Sequence, residues 1–249
     1  MEKVRLQKVI ASRSAFSRRK AEDLIVSGKV RVNGQVVVKL GTRVDPKNDQ
    51  VELEQQALEV QKKVYYLFYK PRGVVSTLYD PQKRKTLREF VGHISERLFP
   101  VGRLDYLSEG LMLLTNDGEL AQRLAHPSGL VKKTYHVSVA EDITLLHIKK
   151  LRQGGMVEGQ WVKPVSVARI LKEDALWLEF ILREGRKHEI RTLCEQVGLQ
   201  VTQLVRVAIG AFMLENLRPG ELKAVDREFV LSLFNSLLNW QGSGERPLG

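Results

Sequence analysis

The stretch Gly102-Arg103-Leu104-Asp105-Tyr106-Leu107-Ser108-Glu109-Gly110-Leu111-Met112-Leu113-Leu114-Thr115-Asn116-Asp117-Gly118 changes character halfway along. Its first half is a short acidic loop. Leu111–Leu114 then reads as a buried strand, and Asn116-Asp117-Gly118 ends it with turn chemistry. A loop placed directly before a buried strand is where a rigid scaffold can hold a functional carboxylate. Read alone, Asp105 is more often a turn or capping residue, so the stretch needs its surroundings before it says anything about chemistry.

Outward from it, the chain mixes strands and helices. Upstream, Val64-Tyr65-Tyr66-Leu67-Phe68-Tyr69 is strongly β-prone and is ended by Pro71 and Gly73. Downstream, Glu119–Ala125 predicts a short helix stopped by Pro127. Tyr135–Val139 alternates as a strand does, and Leu145–Leu151 fits a helix ended by Gly154-Gly155. Val162–Leu171 and Ala175–Leu182 predict a hairpin around Glu173-Asp174. Lys187–Val197 predicts an amphipathic helix, with Ile190, Leu193, Cys194 and Val197 on one face. Val201–Leu214 is strand-like, Asp226–Trp240 is helical, and Gln241–Gly249 reads as a flexible tail. The pattern is α+β with a largely antiparallel sheet.

The first sixty residues form a separate unit. Leu6, Val9 and Ile10 share a helical face. Ser17 is placed to cap a second helix whose stripe is Ala21, Leu24 and Ile25, and Gly28 sits just past its end. Lys29–Val38 predicts a hairpin turned by Asn33-Gly34. Val44, Val51 and Leu53 add short strands, and the polar segment Gln55–Lys63 reads as a linker.

The 249 residues, 43% of them apolar, are enough for a core and leave room for a second, smaller domain. No apolar run approaches the ~18 residues of a membrane span. The first residues have no apolar signal-peptide core, so a soluble cytoplasmic protein is expected. The single Cys194 and five scattered histidines argue against disulfides and a metal cluster. Lys and Arg exceed Asp and Glu by 40 to 29. Residues 1–31 hold nine of the cations (Lys3, Arg5, Lys8, Arg13, Arg18, Arg19, Lys20, Lys29 and Arg31) against three acids. Concentrated positive charge on a folded segment suggests nucleic acid, and the plain alternative is a solvated helix face. A phosphate-binding glycine loop, a Gly-x-Ser-x-Gly elbow and a His-Glu-x-x-His pair are all missing, against nucleotide hydrolysis, dinucleotide redox chemistry and zinc proteolysis.

Three separated pieces resemble the small RNA-binding module of ribosomal protein S-four, the αL motif: Leu6-Gln7-Lys8-Val9-Ile10-Ala11, Ser17–Glu22 and Gly28–Gly34. Gly102–Gly118 resembles the catalytic motif of the pseudouridine synthases that act on ribosomal RNA, the RsuA/RluB group. Lys70-Pro71-Arg72-Gly73 resembles that family's opening motif, and Lys133-Thr134-Tyr135 its tyrosine motif. Glu184-Gly185-Arg186-Lys187-His188-Glu189-Ile190-Arg191 resembles its basic motif, and Leu204-Val205-Arg206-Val207 its final one. Thr192 departs from the pattern, where many members continue with a second arginine.

The resemblance implies an RNA-binding domain over 1–60, a synthase domain over 61–240 and a tail over 241–249. It implies catalysis by Asp105, Tyr135 and Arg191, with Arg191 paired to the Asp105 carboxylate. Arg103, Leu204, Arg186, Lys187 and Arg72 would bind substrate, and His188 would orient the basic loop. Arg5, Lys8, Arg18, Arg19, Lys20, Lys29 and Arg31 would hold RNA. Neither metal nor cofactor is expected. The implied partners are ribosomal RNA and a ribosome assembly intermediate, met by a monomer with no membrane contact. Large-subunit RNA is the expected target. A small-subunit synthase and an inactive ribosome-binding factor are the alternatives. A small-molecule nucleoside hydrolase fits poorly with the N-terminal RNA module.

Overall fold

The computed structural model describes residues 3–125, 131–172, 175–183 and 185–240. The helix stop at Pro127, the turn at Glu173-Asp174, Glu184 of the basic motif and the tail 241–249 lie outside the described residues.

Residues 3–58 enclose their own core. Helices Leu6–Arg13 and Arg18–Val26 bury Leu6, Ile10, Ala21 and Ile25 against Val30, Val44 and Val51. Ser17 caps the second helix, its hydroxyl accepting the Lys20 amide at 3.1 Å. Asn33 and Gly34 both take positive φ in the expected turn. The reading of Gln55–Lys63 as a linker needs correcting at its start. Gln56–Ala57 pairs with Val51–Leu53 as the fourth strand of the module's sheet, and Leu58 packs on its core. Two polar positions, Glu54 and Gln55, hid this hairpin by taking positive φ without a glycine.

The second domain is built on a nine-stranded mixed sheet. Along it run Ser166–Lys172, Ala175–Leu182, Lys133–Val139, Val201–Ile209, Glu109–Thr115, Tyr65–Lys70 and Leu222–Val225. Phe212–Met213 joins Val201–Ile209, and Phe99–Val101 joins Glu109–Thr115. Every pairing is antiparallel except one. At the centre, Val201–Ile209 runs parallel to Glu109–Thr115, matching Val205 to Glu109 and Arg206 to Gly110. Leu111 and Leu113 enter one apolar cluster and Met112 and Leu114 the other, so both faces of this strand are covered. That is why the run is uninterrupted and does not alternate. Helices Leu145–Gln153 and Glu189–Gln196 cover one face, Gly118–Ala125 and Arg227–Trp240 the other.

The parallel seam depends on Gly110. Its φ is +107°, and a Cβ there would overlap the Arg206 carbonyl oxygen. Two further expectations are corrected. Val162 does not begin the long hairpin; it closes a small one, Gly155–Val157 with Gln160–Val162. The helix expected from Lys187 starts at Glu189, because His188 is left-handed at φ +55°. Lys187 and Arg191 therefore do not face each other one helical turn apart. Among the described residues no helix is long and apolar enough to cross a membrane.

Candidate active site

The loop before Glu109–Thr115 lies at the parallel seam and is held at nearly every carbonyl. Lys70, at the end of Tyr65–Lys70, is completely buried, and its ammonium donates to the carbonyls of Pro71 (3.0 Å), Asp105 (3.2 Å) and Ser108 (2.7 Å). The Ser76 hydroxyl donates to the Leu104 carbonyl at 2.6 Å, and the Gly73 amide to that of Tyr106 at 2.8 Å. Arg191 donates to Leu107 at 3.1 Å and to Val201 at 3.2 Å. A carbonyl network of this kind fixes the backbone and leaves the Asp105 carboxylate unspent.

Burial pulls the Lys70 ammonium down to about 8, against the attraction of Glu109 and Asp105. Glu109 is itself buried, accepting from Gln203 at 2.8 Å and from the Tyr69 hydroxyl at 3.4 Å. Burial, with the Glu109 charge behind it, pushes Tyr69 up to about 12. Arg206, 2% exposed, donates to the Leu111 carbonyl at 2.8 Å. The loop thus rests on buried Lys70, Glu109 and Arg206, with half-buried Tyr69 and Gln203 beside them.

Above these side chains is a cavity of about 180 Å³. Arg103, Asp105, Tyr135, Arg186, Lys187, His188 and Leu204 line it. Tyr135 stands opposite Arg206 and Val137 opposite Leu204, so Lys133–Val139 and Val201–Ile209 deliver Tyr135 and Leu204 to the same wall. Asp105 keeps 36% of its side chain exposed, and Arg103 is solvent-accessible. The fold therefore brings together six of the eight residues expected to act or to bind substrate.

The other two are beside the cavity. The ion pair expected between Asp105 and Arg191 is not formed, because both ends of the guanidinium are engaged with backbone carbonyls. Burial lowers the Arg191 pKa first, Arg72 adds to this, and the Asp105 charge opposes it. Arg191 thus acts on the carboxylate through space and on the loop directly. The side chain that reaches the Asp105 carboxylate is His188, whose Nε2 stands 3.8 Å from one of its oxygens. Arg72 donates to the Thr202 carbonyl at 3.1 Å.

In the module, Arg5, Arg18, Arg19 and Lys20 are exposed. Lys8 pairs with Glu119 of the second domain at 2.9 Å, Lys29 with Glu54 at 2.7 Å, and Arg31 donates to the Gly34 carbonyl at 2.8 Å. Sequence reasoning assigned no role to Lys70, Glu109, Gln203 or Arg206. One signal was available: a lysine closing an otherwise apolar six-residue strand, just before a proline, has nowhere to go but inward.

Comparison with known proteins identifies both parts of the chain. Residues 64–196 match the RNA pseudouridylate synthase family, and residues 4–51 match the S4 domain. An uncharacterized RNA pseudouridine synthase of Aquifex aeolicus is 39% identical over 240 residues, 95% of this chain and 96% of that one. The ribosomal large subunit pseudouridine synthase B of Bacillus subtilis is 40% identical over 223 residues, 88% of this chain and 91% of that one. A crystal structure of a pseudouridylate synthase superposes with a TM-score of 0.64 at 26% identity, covering 92% of this chain and 99% of its own. With residues 64–196 and the N-terminal module both matched, and relatives alike over nearly the whole chain, the chain belongs to the RNA pseudouridine synthases, in the RsuA/RluB-like branch that carries an S4 domain in front.

Proposed function

We propose that the protein converts one uridine of large-subunit ribosomal RNA to pseudouridine, with Asp105 as the acting carboxylate. The observation that carries this reading is the part-exposed Asp105 carboxylate in the Tyr135–Leu204 cavity, its backbone fixed from below by Lys70. The choice of RNA rests on likeness to the Bacillus subtilis protein.

The reaction is an isomerisation. The bond from uracil N1 to the ribose C1′ breaks, the base turns, and a bond from C5 to C1′ forms. The proton on C5 leaves and N1 ends protonated, so nothing is oxidised or reduced and no cofactor is required. Asp105 serves as nucleophile or base, at the sugar or at the uracil. Tyr135 stacks on the ring and assists removal of the C5 proton, and Leu204 packs beneath it. Arg103, Arg186, Lys187 and Arg72 meet the flanking phosphates. The uridine must leave its stack, at a cost of roughly a few kcal/mol, which phosphate contacts offset. The protein acts as a cytoplasmic monomer on assembling particles, while the target is accessible.

The test offers naked large- and small-subunit RNA to the protein and maps pseudouridine at nucleotide resolution. One new site in large-subunit RNA is expected. Product only in small-subunit RNA would move the target, and no product in either would leave the inactive binding factor.

A further inference from the structure

We propose that the cleft between the N-terminal module and the synthase domain is a seat for the phosphodiester backbone of the substrate RNA, with Arg97 as its inner anchor and Arg18 and Lys63 beside it. This rests on the pseudouridine synthase reading and extends it from the reacting base to the strand that carries it.

The cleft has a volume of about 760 Å³, four times that of the catalytic cavity. Arg18 comes from the module, Lys63 from the connecting segment and Arg97 from the synthase domain, so all three parts of the chain contribute a cation. The acids there are committed. Glu119 pairs with Lys8 at 2.9 Å. Asp117 accepts the Tyr65 hydroxyl at 2.9 Å and the amides of Glu119 and Leu120 at 3.1 and 3.3 Å. Arg97 is half-buried against the Phe99 ring, 6.0 Å from its centroid, and no carboxylate pairs with it among the described residues. Burial lowers its pKa with no anion opposing the shift.

A half-buried guanidinium without an anion is an unfavourable arrangement that an arriving phosphate relieves, and its planar fork suits two phosphate oxygens. The cleft also leads somewhere. Gly102 is part of its wall, and the next residue, Arg103, lines the catalytic cavity. The cleft and the catalytic cavity thus adjoin at the Gly102–Arg103 step of one loop.

The experiment measures RNA affinity against KCl for the full chain, wild type, Arg97→Gln and Arg97→Lys. The two ligands are a long large-subunit RNA fragment and a minimal stem-loop that fills only the catalytic cavity. For Arg97→Gln on the long RNA, Kd should rise about tenfold and the salt slope should fall by about 0.7–0.9, the share of a single phosphate. Turnover at saturating RNA should stay as in wild type. Arg97→Lys should keep the slope, since it keeps the charge, and lose part of the affinity. The minimal stem-loop should bind all three proteins alike. Unchanged affinity and slope for Arg97→Gln, or equal losses on both RNAs, would overturn the proposal. Pseudouridine formation by wild type is scored separately, so the synthase reading stands or falls on that signal alone.

Discussion

The two domains use charge in opposite ways. The N-terminal module has an apolar interior and carries its cations outside, where Lys29 pairs with Glu54 in solvent and Arg18, Arg19 and Lys20 stand exposed. Charges left in solvent are weakened by salt, which suits reversible contact with phosphates. The synthase domain takes its polar groups inside. Lys70, Glu109 and Arg206 are all buried beneath the catalytic loop, where each must be satisfied or costs several kcal/mol. The module keeps its charges solvated, and beneath the catalytic loop the charges that fix the backbone have left water.

That contrast breaks most sharply at Asp105. Asp105→Asn keeps the size of the side chain and removes the carboxylate. Single-turnover conversion of a large-subunit RNA fragment should fall at least about 10³-fold. RNA affinity should stay within about threefold of wild type, because the phosphate-binding cations are untouched. Substantial turnover by this variant would remove Asp105 from the mechanism. Arg191→Ala should be less severe but still slow the reaction, since it frees the Leu107 and Val201 carbonyls; activity equal to wild type would show that those anchors are redundant.

Deleting residues 3–58 probes the other side of the comparison. Affinity for the long RNA should drop by roughly 10- to 100-fold, and the salt slope should flatten by about 0.7–0.9 for each phosphate that the module neutralises. Turnover at saturating RNA should persist, because the loop, the cavity and the buried charges all lie beyond residue 64. A truncated protein with the same salt slope would show that the module's cations do not touch RNA.

Lys70 gives the comparison a pH dependence. Its folded pKa, about 8, lies below its ordinary value of 10.5. Between those values the unfolded chain binds more protons, so this group raises global stability as pH rises, while the folded loop loses its ammonium. A neutral amine offers two N–H donors to three carbonyls. The single-turnover rate should therefore decline above pH ~8 with no loss of thermal stability over the same interval. Lys70→Met should lower the rate about tenfold even at neutral pH, by leaving those carbonyls unpaired. A flat wild-type profile up to pH ~9.5 would show that the loop does not need the charge.

How much of this was legible depended on whether a feature is local. The module's helices, cap and Asn33-Gly34 turn follow from short spacings, and the structure has them where they were read. Leu111–Leu114 is recognisable as a buried strand, but the pairing of Glu109 and Gly110, just before it, with Val205 and Arg206 joins segments some ninety residues apart and leaves no local pattern. The helix expected from Lys187 begins two residues later because His188 takes the left-handed conformation without being a glycine. The site residues were named from motif resemblance. Their physical support is harder to see, since nothing local marks Glu109 or Arg206 for burial; the seam does that.

The smallest expected effect tests whether the two interiors are energetically separate. Ser17 caps Arg18–Val26, and the buried face of that helix, Ala21, Leu24 and Ile25, packs in the module's own apolar cluster. Ser17→Ala removes one acceptor from the Lys20 amide and should cost the module ~1 kcal/mol. If the interiors are independent, amide exchange should quicken along Arg18–Val26 and stay unchanged along Glu109–Thr115. Turnover at saturating RNA should not move, and affinity should weaken only slightly, through a larger unfolded fraction of the module. Arg18, the first residue of the capped helix, also stands in the cleft beside Arg97, so RNA held there should restore slow exchange to the helix in the variant. Faster exchange in Glu109–Thr115 as well would mean that the ion pair of Lys8 with Glu119 couples the domains strongly. In that case the separation of solvated from buried charge would describe where the groups lie and not how the energy is divided.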